Sequence, residues 1–357
     1  MKKLLVLAVL LIPLKVFSIS AASAIAMDLD TGRVLYGYNT NEKKLIASIT
    51  KIMTAIVTIE NADINKQIEV TDVIYEAYGS GIYIEVGEKI TIKDLLYGLM
   101  LRSGNDAALM IAEAVSGSEE QFVYLMNDYA NNLGMKNTIF YNPHGLEENN
   151  GDANLSTTLD MAKLTKYAMQ NSTFKEIFKT KEHTVKTNYK SYVWHNKNKL
   201  LSENYITGGK TGFTELARRT LVTTGAKDNI NLVVVTLNDP NDWQDHKDIY
   251  NKIFSTYKSY KILFKDNFEI EENYYDDSLL YIKNDYSVVL TKKELDKITL
   301  NYNLMKLDSY VDDSIVGYAE ILLDKKIVHK EPIYIQGEKK EEKLNIWQKF
   351  RRWISKW

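Results

Sequence analysis

The order of structural signals along the chain constrains its fold most. Strand-like segments at residues 23–27 and 33–36 flank Asp30-Thr31-Gly32, a hairpin signal close to the start. A mainly helical stretch follows, from Ile46 to about Asn171. Residues 220–225 and the apolar run 232–237 then bracket Lys227-Asp228-Asn229, a second hairpin. Strands on both sides of a helical middle predict one sheet assembled from the two ends of a domain. The expected class is α/β (α+β), an antiparallel sheet flanked by helices rather than a doubly wound one. Within the middle, Ile49, Ile52, Met53, Ile56, Val57 and Ile59 are apolar nearly all round, which predicts a buried helix. Thr91 and Asp94 open another helical run at 95–101, and a third at 107–114 follows a short polar break.

The pattern changes near Phe264. Residues 264–337 have few helical repeats and several short strands. Ile298 to Leu304 alternates strictly, and 315–323 with 327–335 reads as a hairpin around Asp324-Lys325-Lys326. The 357 residues therefore divide into a main domain at 19–262, a small β-rich C-terminal domain at 263–338, and two terminal segments.

Residues 1–18 have the order of an export leader. Lys2 and Lys3 precede an unbroken apolar run from Leu4 to Ile12, then Pro13 and Lys15, with Val16-Phe17-Ser18 at the cleavage positions. The run is shorter than the roughly 20 residues a bilayer span needs. The other end is an expected amphipathic tail helix at 339–357. Ile346, Trp347, Phe350, Trp353, Ile354 and Trp357 share one helical arc, while five bases and no acid lie within 343–357. Three tryptophans beside cations suit an anionic membrane surface, where each base contributes about 1 kcal/mol. The chain is thus expected to be exported and held peripherally on the outer face of the cytoplasmic membrane.

Composition removes several chemistries. There is no cysteine, so disulfides, thiol catalysis and Cys-based metal sites are excluded. The five histidines form no close ligand pair, and no metal or other cofactor is expected. A net charge of −2 gives the body no attraction for nucleic acid.

Candidate chemistry begins at Ser48-Ile49-Thr50-Lys51. Three-residue spacing places a hydroxyl and an amine on one helical face, about 5–6 Å apart at Cβ, with Ser48 expected to begin the buried helix. A serine needs a neighbour to remove its proton, and a lysine can do so once burial and nearby cations lower its pKa. The same spacing recurs at Ser172–Lys175 and Ser255–Lys258, so it does not choose alone. Ser103-Gly104-Asn105 falls between two helical runs and should be a loop presenting two polar side chains. Ser202-Glu203-Asn204 lacks such a bracket. Lys210-Thr211-Gly212 occurs once, after Gly208-Gly209 and ahead of an apolar strand.

Together Ser48-x-x-Lys51, Ser103-x-Asn105 and Lys210-Thr211-Gly212 resemble the three motifs of penicillin-binding proteins and serine β-lactamases. The surrounding residues 46–55, 95–99, 103–108, 142–146 and 209–214 are similar to those of the low-molecular-mass D-alanyl-D-alanine carboxypeptidases. The resemblance runs from about Ala22 to about Phe254, and the β-rich domain and tail match that family's layout. It implies a β-lactamase/transpeptidase-like main domain and a substrate of peptidoglycan stem peptides ending in D-Ala-D-Ala. It also implies β-lactam antibiotics as ligands.

The resemblance further implies catalytic roles for Ser48 (nucleophile), Lys51 (its base), Ser103 (proton relay), Asn105 (substrate amide and Lys51) and Lys210. Thr211 and Gly212 would bind substrate, with Lys210 and Thr211 facing its carboxylate. The N–H groups of Ser48 and Phe213 would form the oxyanion hole. His144 is expected to be structural, and a triad partnership for His246 with Asp245 is not supported. Arg218 and Arg219 either touch substrate or are solvated. Two other readings remain: a serine β-lactamase, though no E-x-x-L-N segment lies between Asn105 and Lys210, and a non-catalytic peptidoglycan-binding relative.

Overall fold

The computed structural model describes residues 18–148, 151–270, 275 and 279–339. Two sequence expectations, the leader at 1–18 and the tail helix at 339–357, lie outside them except for Ser18 and Lys339, and Lys339 is not helical but bridges to Tyr310.

Five antiparallel strands form the main sheet. They are β1 (Ser23–Asp28), β2 (Val34–Tyr38), β3 (Ile206–Thr214), β4 (Arg218–Lys227) and β5 (Ile230–Leu237), in spatial order β2-β1-β5-β4-β3. N-terminal β1 pairs with β5, Ala26 opposite Val234, so the sheet is assembled from both ends of the domain as expected. Asp228 and Asn229 both adopt positive φ (52° and 60°), the conformation that matches a two-residue turn to strand twist.

Both faces of this sheet are covered. Val233, Val235 and Leu237 point into the large helical core, while Leu232 and Val234 point the other way, onto Ile249, Tyr250 and Ile253. The helical side contains α1 (Lys51–Asn61), α2 (Ile92–Tyr97), α3 (Asn105–Ser116), α4 (Glu119–Asn132), α5 (Thr158–Ala168) and α6 (Ser172–Lys179). The opposite face is covered by α7 (Asp242–Thr256). Starts are set locally: the side chains of Thr91, Ser118, Thr157 and Asn171 accept from the backbone N–H three residues on, satisfying donors that the helix leaves unpaired. As its apolar circumference predicts, α1 is buried from Lys51 through Thr58.

The C-terminal part is β-rich. A four-stranded sheet runs β7-β11-β10-β9, from Leu280–Tyr281 (β7), Lys326–Ile335 (β11), Ser314–Leu323 (β10) and Ile298–Leu304 (β9). Beside it Lys258–Leu263 (β6) pairs with Tyr286–Leu290 (β8). The expected hairpin turns at Asp324 and Lys325, both at positive φ. Its core of Val288, Leu290, Val316, Ile321, Ile333 and Ile335 is separate from the main one. Arg33 links the two parts, donating to the Val289 carbonyl (2.6 Å) and pairing with Glu294. No helix among the described residues is long and apolar enough to cross a membrane.

Candidate active site

Two expectations about local structure need adjusting. Ser48 does not begin α1; it lies in the 3₁₀ turn Ala47–Thr50 that leads into it. Ala47 there takes φ 49°, and Gly145 packs so closely on its carbonyl that a Cβ would overlap the oxygen. Asn105 is the first residue of α3 rather than a loop residue. Lys210-Thr211-Gly212 itself lies inside edge strand β3, and the apolar strand expected after it is β4. In each case packing between distant segments decides the backbone, which periodicity cannot report.

Ser48, Lys51, Ser103, Asn105 and Lys210 converge. The Nζ of Lys51 lies 3.1 Å from Ser48 Oγ, 2.7 Å from Asn105 Oδ1 and 2.6 Å from the His144 carbonyl. Two of these neighbours can only accept. A neutral amine has two N–H donors and one lone pair, so donating to Asn105 and His144 turns the lone pair toward the Ser48 hydroxyl. Lys51 has no exposed surface, and burial, with Lys210 and Lys197 nearby, pushes its pKa well below the ordinary lysine value.

On the other side Lys210 donates to Ser103 Oγ (3.0 Å) and to the Thr211 carbonyl (2.8 Å). Burial, with Lys197 next, lowers it to about 7. Ser103 is held at φ 63°, a left-handed conformation that ends the π-turn Gly98–Arg102 and aims its side chain at β3. Gly212 brings β3 against Ser48: a Cβ there would overlap Thr220 Oγ1 and lie 3.0 Å from Ser48 N. Thr211 is half-buried and Phe213 exposed, at the end of the strand that borders this cleft.

The competing motif copies do not assemble. Ser255 Oγ and Ser202 Oγ each donate to a carbonyl three residues back, Lys252 and Lys199, on the surface. Ser172 is exposed at the start of α6. His246 is fully buried between Thr223 (2.8 Å) and Thr236 (3.0 Å), and its neighbour Asp245 points to Ser20, so no triad exists there. The His144 ring accepts from Leu146 N at Nδ1 and turns Nε2 toward Glu119. Burial lowers it to about 3, so it is neutral. Of the two arginines, Arg219 is bound by both oxygens of Asp242 (2.7 and 2.8 Å), and Arg218 pairs with Glu215 on the surface.

Sequence reading missed three contributors. The His144 backbone carbonyl holds Lys51, although the sequence marks the residue only as structural. Lys197 bonds Ser80 Oγ (3.0 Å) and lowers both active-site lysines, and no motif marks it. Asp106 accepts from the backbone N–H groups of Ile82 (2.9 Å) and Tyr83 (2.8 Å), strapping loop 78–83 over the Ser103-Gly104-Asn105 motif. Asn105 completes the strap, donating to Tyr78 O (2.6 Å) and Ser80 O (2.7 Å). The adjacency of Asp106 to that motif was the available signal.

Residues 12–241 match the D-alanyl-D-alanine carboxypeptidase family. The chain belongs to that family. Residues 257–341 match the C-terminal domain of penicillin-binding protein 5. The chain is 37% identical over 223 residues to D-alanyl-D-alanine carboxypeptidase DacF of Bacillus subtilis, covering 60% of this chain and 56% of that protein. To the D-alanyl-D-alanine carboxypeptidase of Streptomyces sp. K15 it is 37% identical over 262 residues, 67% of this chain and 88% of the other. Among solved structures, penicillin-binding protein 5 from Haemophilus influenzae superposes with a TM-score of 0.74 at 25% identity, covering 90% of this chain and 98% of that one. The expected fold, a carboxypeptidase-family main domain with a β-rich C-terminal domain, is the one found.

Proposed function

We propose that this carboxypeptidase-family chain removes the terminal D-Ala from peptidoglycan pentapeptide stems, through an acyl-enzyme on Ser48. The observation that carries the reading is the surroundings of Lys51: two acceptors for its two hydrogens and the Ser48 hydroxyl opposite its lone pair.

Lys51 takes the Ser48 proton as Oγ attacks the carbonyl between the two D-alanines. The N–H groups of Ser48 and Phe213 receive the developing oxyanion, each such donor being worth about 3–4 kcal/mol. The C–N bond breaks and the leaving D-Ala nitrogen takes a proton through Ser103 and Lys210, which are 3.0 Å apart. Water then cleaves the ester and restores the Ser48 hydroxyl. Asn105 holds Lys51 and the substrate amide. Lys210 and Thr211 face the terminal carboxylate, and Gly212 lets the peptide lie along β3. β-Lactams acylate the same serine.

The leader at 1–18 and the basic, Trp-rich tail at 339–357 complete the proposal: export, then peripheral attachment to an anionic membrane surface. The reading is tested by D-Ala release from a peptide ending Lys-D-Ala-D-Ala. Release by the native protein and its loss in Ser48→Ala support it. Rapid penicillin hydrolysis without D-Ala release would favour a β-lactamase, and an unchanged cellular phenotype in Ser48→Ala would favour a binding protein.

A further inference from the structure

At the far end of the main sheet from the C-terminal part, two buried carboxylates meet the beginning of the described chain. Asp239 has no exposed surface and Asp245 is 5% exposed. Asp245 Oδ2 accepts from Ser20 N (2.5 Å) and Ala21 N (3.2 Å). The Ser20 hydroxyl lies 2.8 Å from Asp245 Oδ2 and 3.0 Å from Asp239 Oδ1.

That hydroxyl has one hydrogen, so it can serve only one of the two carboxylates. Asp239 Oδ1 also accepts from Asn241 N (3.1 Å), while its Oδ2 is buried without a hydrogen-bond partner. Among the described residues no Lys, Arg or His forms an ion pair with either group. The adjacent Arg219 is already bound by both oxygens of Asp242. Burial, with Asp245 beside it, pushes Asp239 up to about 7. The two carboxyls thus share their donors and have no cation partner among the described residues, and holding charge away from water without one is costly.

The segment that reaches it is also where the export leader ends. Ser18 and Ser20 place small residues two apart, the spacing that leader peptidases cut after. Hydrolysis there adds water across one peptide bond: the leader keeps a carboxylate and the body keeps an ammonium with three N–H donors. A terminus at Ala21 would put that ammonium on the nitrogen 3.2 Å from Asp245 Oδ2, and one at Ser20 on the nitrogen at 2.5 Å. A terminus at Ile19 lies one residue, about 3.8 Å, further out.

We propose that Asp239 and Asp245 form the binding site for the α-ammonium that leader removal creates at residue 19, 20 or 21. Processing then completes an ion pair that ties β1 to the start of α7. Asp239 N also donates to the Arg219 carbonyl (3.0 Å), so the pair braces β4 one register position from Gly212 on β3. The inference rests on the export reading above.

The test uses the full-length chain exported to the membrane of a bacterial host. Mass spectrometry of its N-terminal peptide should show a start at 19, 20 or 21. A protein that keeps residues 1–18 overturns both the leader reading and this site; a start beyond Ala21 overturns this site alone. Melting temperature is then compared between the processed protein and the same chain made with Met-Gly ahead of its natural start, which moves the ammonium away. The extension should lower the melting temperature by about 3 °C, and by less than about 1 °C when Asp239→Asn and Asp245→Asn are both present. An equal loss in both backgrounds overturns the proposal. Should the double variant not fold, the terminal amine itself reports: its acylation by an active ester should be about tenfold slower in the folded than in the urea-unfolded native protein. Equal rates overturn the proposal.

Discussion

Gly212 of β3 packs against the backbone nitrogen of Ser48, close enough that a single added Cβ would stand 3.0 Å from that nitrogen and overlap Thr220 Oγ1. The third motif thus shapes the surroundings of Ser48 through its lack of a side chain as much as through Lys210. Gly212→Ala should reduce the rate of Ser48 acylation by at least about 100-fold, since a displacement of around 1 Å at the reacting group has that effect. Stopped-flow acylation with a chromogenic cephalosporin, beside a melting curve showing a folded protein, checks it.

Asn105 tests the lone-pair arrangement. Asn105→Asp replaces the acceptor at 2.7 Å from Lys51 with a charged one, which favours the ammonium and raises the lysine's pKa. The pH at which acylation reaches half its maximum should move up by about one unit or more. Asn105→Leu removes the acceptor without adding charge and should lower the rate without that shift. A pH–rate series on the two variants separates the effects.

The two lysines predict opposite limbs in kcat/KM. Lys51 must be neutral to take a proton, so activity rises with pH through its lowered pKa. Lys210, at about 7, must be charged to face the substrate carboxylate, so activity falls as it deprotonates. Lys210→Arg keeps its charge to far higher pH and should abolish the upper limb, even where the absolute rate is reduced. D-Ala release measured from pH 5 to 10 reads both limbs.

Buried His246 predicts an acid sensitivity of the fold. Burial holds its folded pKa at about 3, below the ordinary 6.5, so the unfolded chain binds a proton that the folded chain refuses. Its contribution is complete above about 6.5 and is lost as pH falls toward 3, at about tenfold in the folding equilibrium per pH unit. His246→Gln, uncharged at every pH, should show a shallower decline across that window in urea titrations.

How far the sequence was legible follows from what kind of contact each feature depends on. Hairpins at Asp30-Thr31-Gly32, Lys227-Asp228-Asn229 and Asp324-Lys325 are local, and turn chemistry reveals them. The buried face of α1 is likewise written in its periodicity. Ser48 and the four side chains around it are marked by motifs that resemble a known set; spacing alone leaves Ser172 and Ser255 as rivals, which only their surroundings exclude. His144 escaped because it acts through a backbone carbonyl, which every residue has. Lys197 escaped because its effect on Lys51 and Lys210 comes from proximity across the fold. The left-handed backbone of Ala47 and Ser103, neither of them glycine, is imposed by tertiary packing and has no signature in composition.

In the proposed mechanism Ser48 alone carries the acyl group. Intact-protein and peptide mass spectrometry after brief exposure to benzylpenicillin tests it most directly. One long-lived penicilloyl adduct is expected, on Ser48, absent in Ser48→Ala, with Ser172 and Ser255 unmodified. An adduct on another serine, or none on Ser48 in a folded protein, would contradict it.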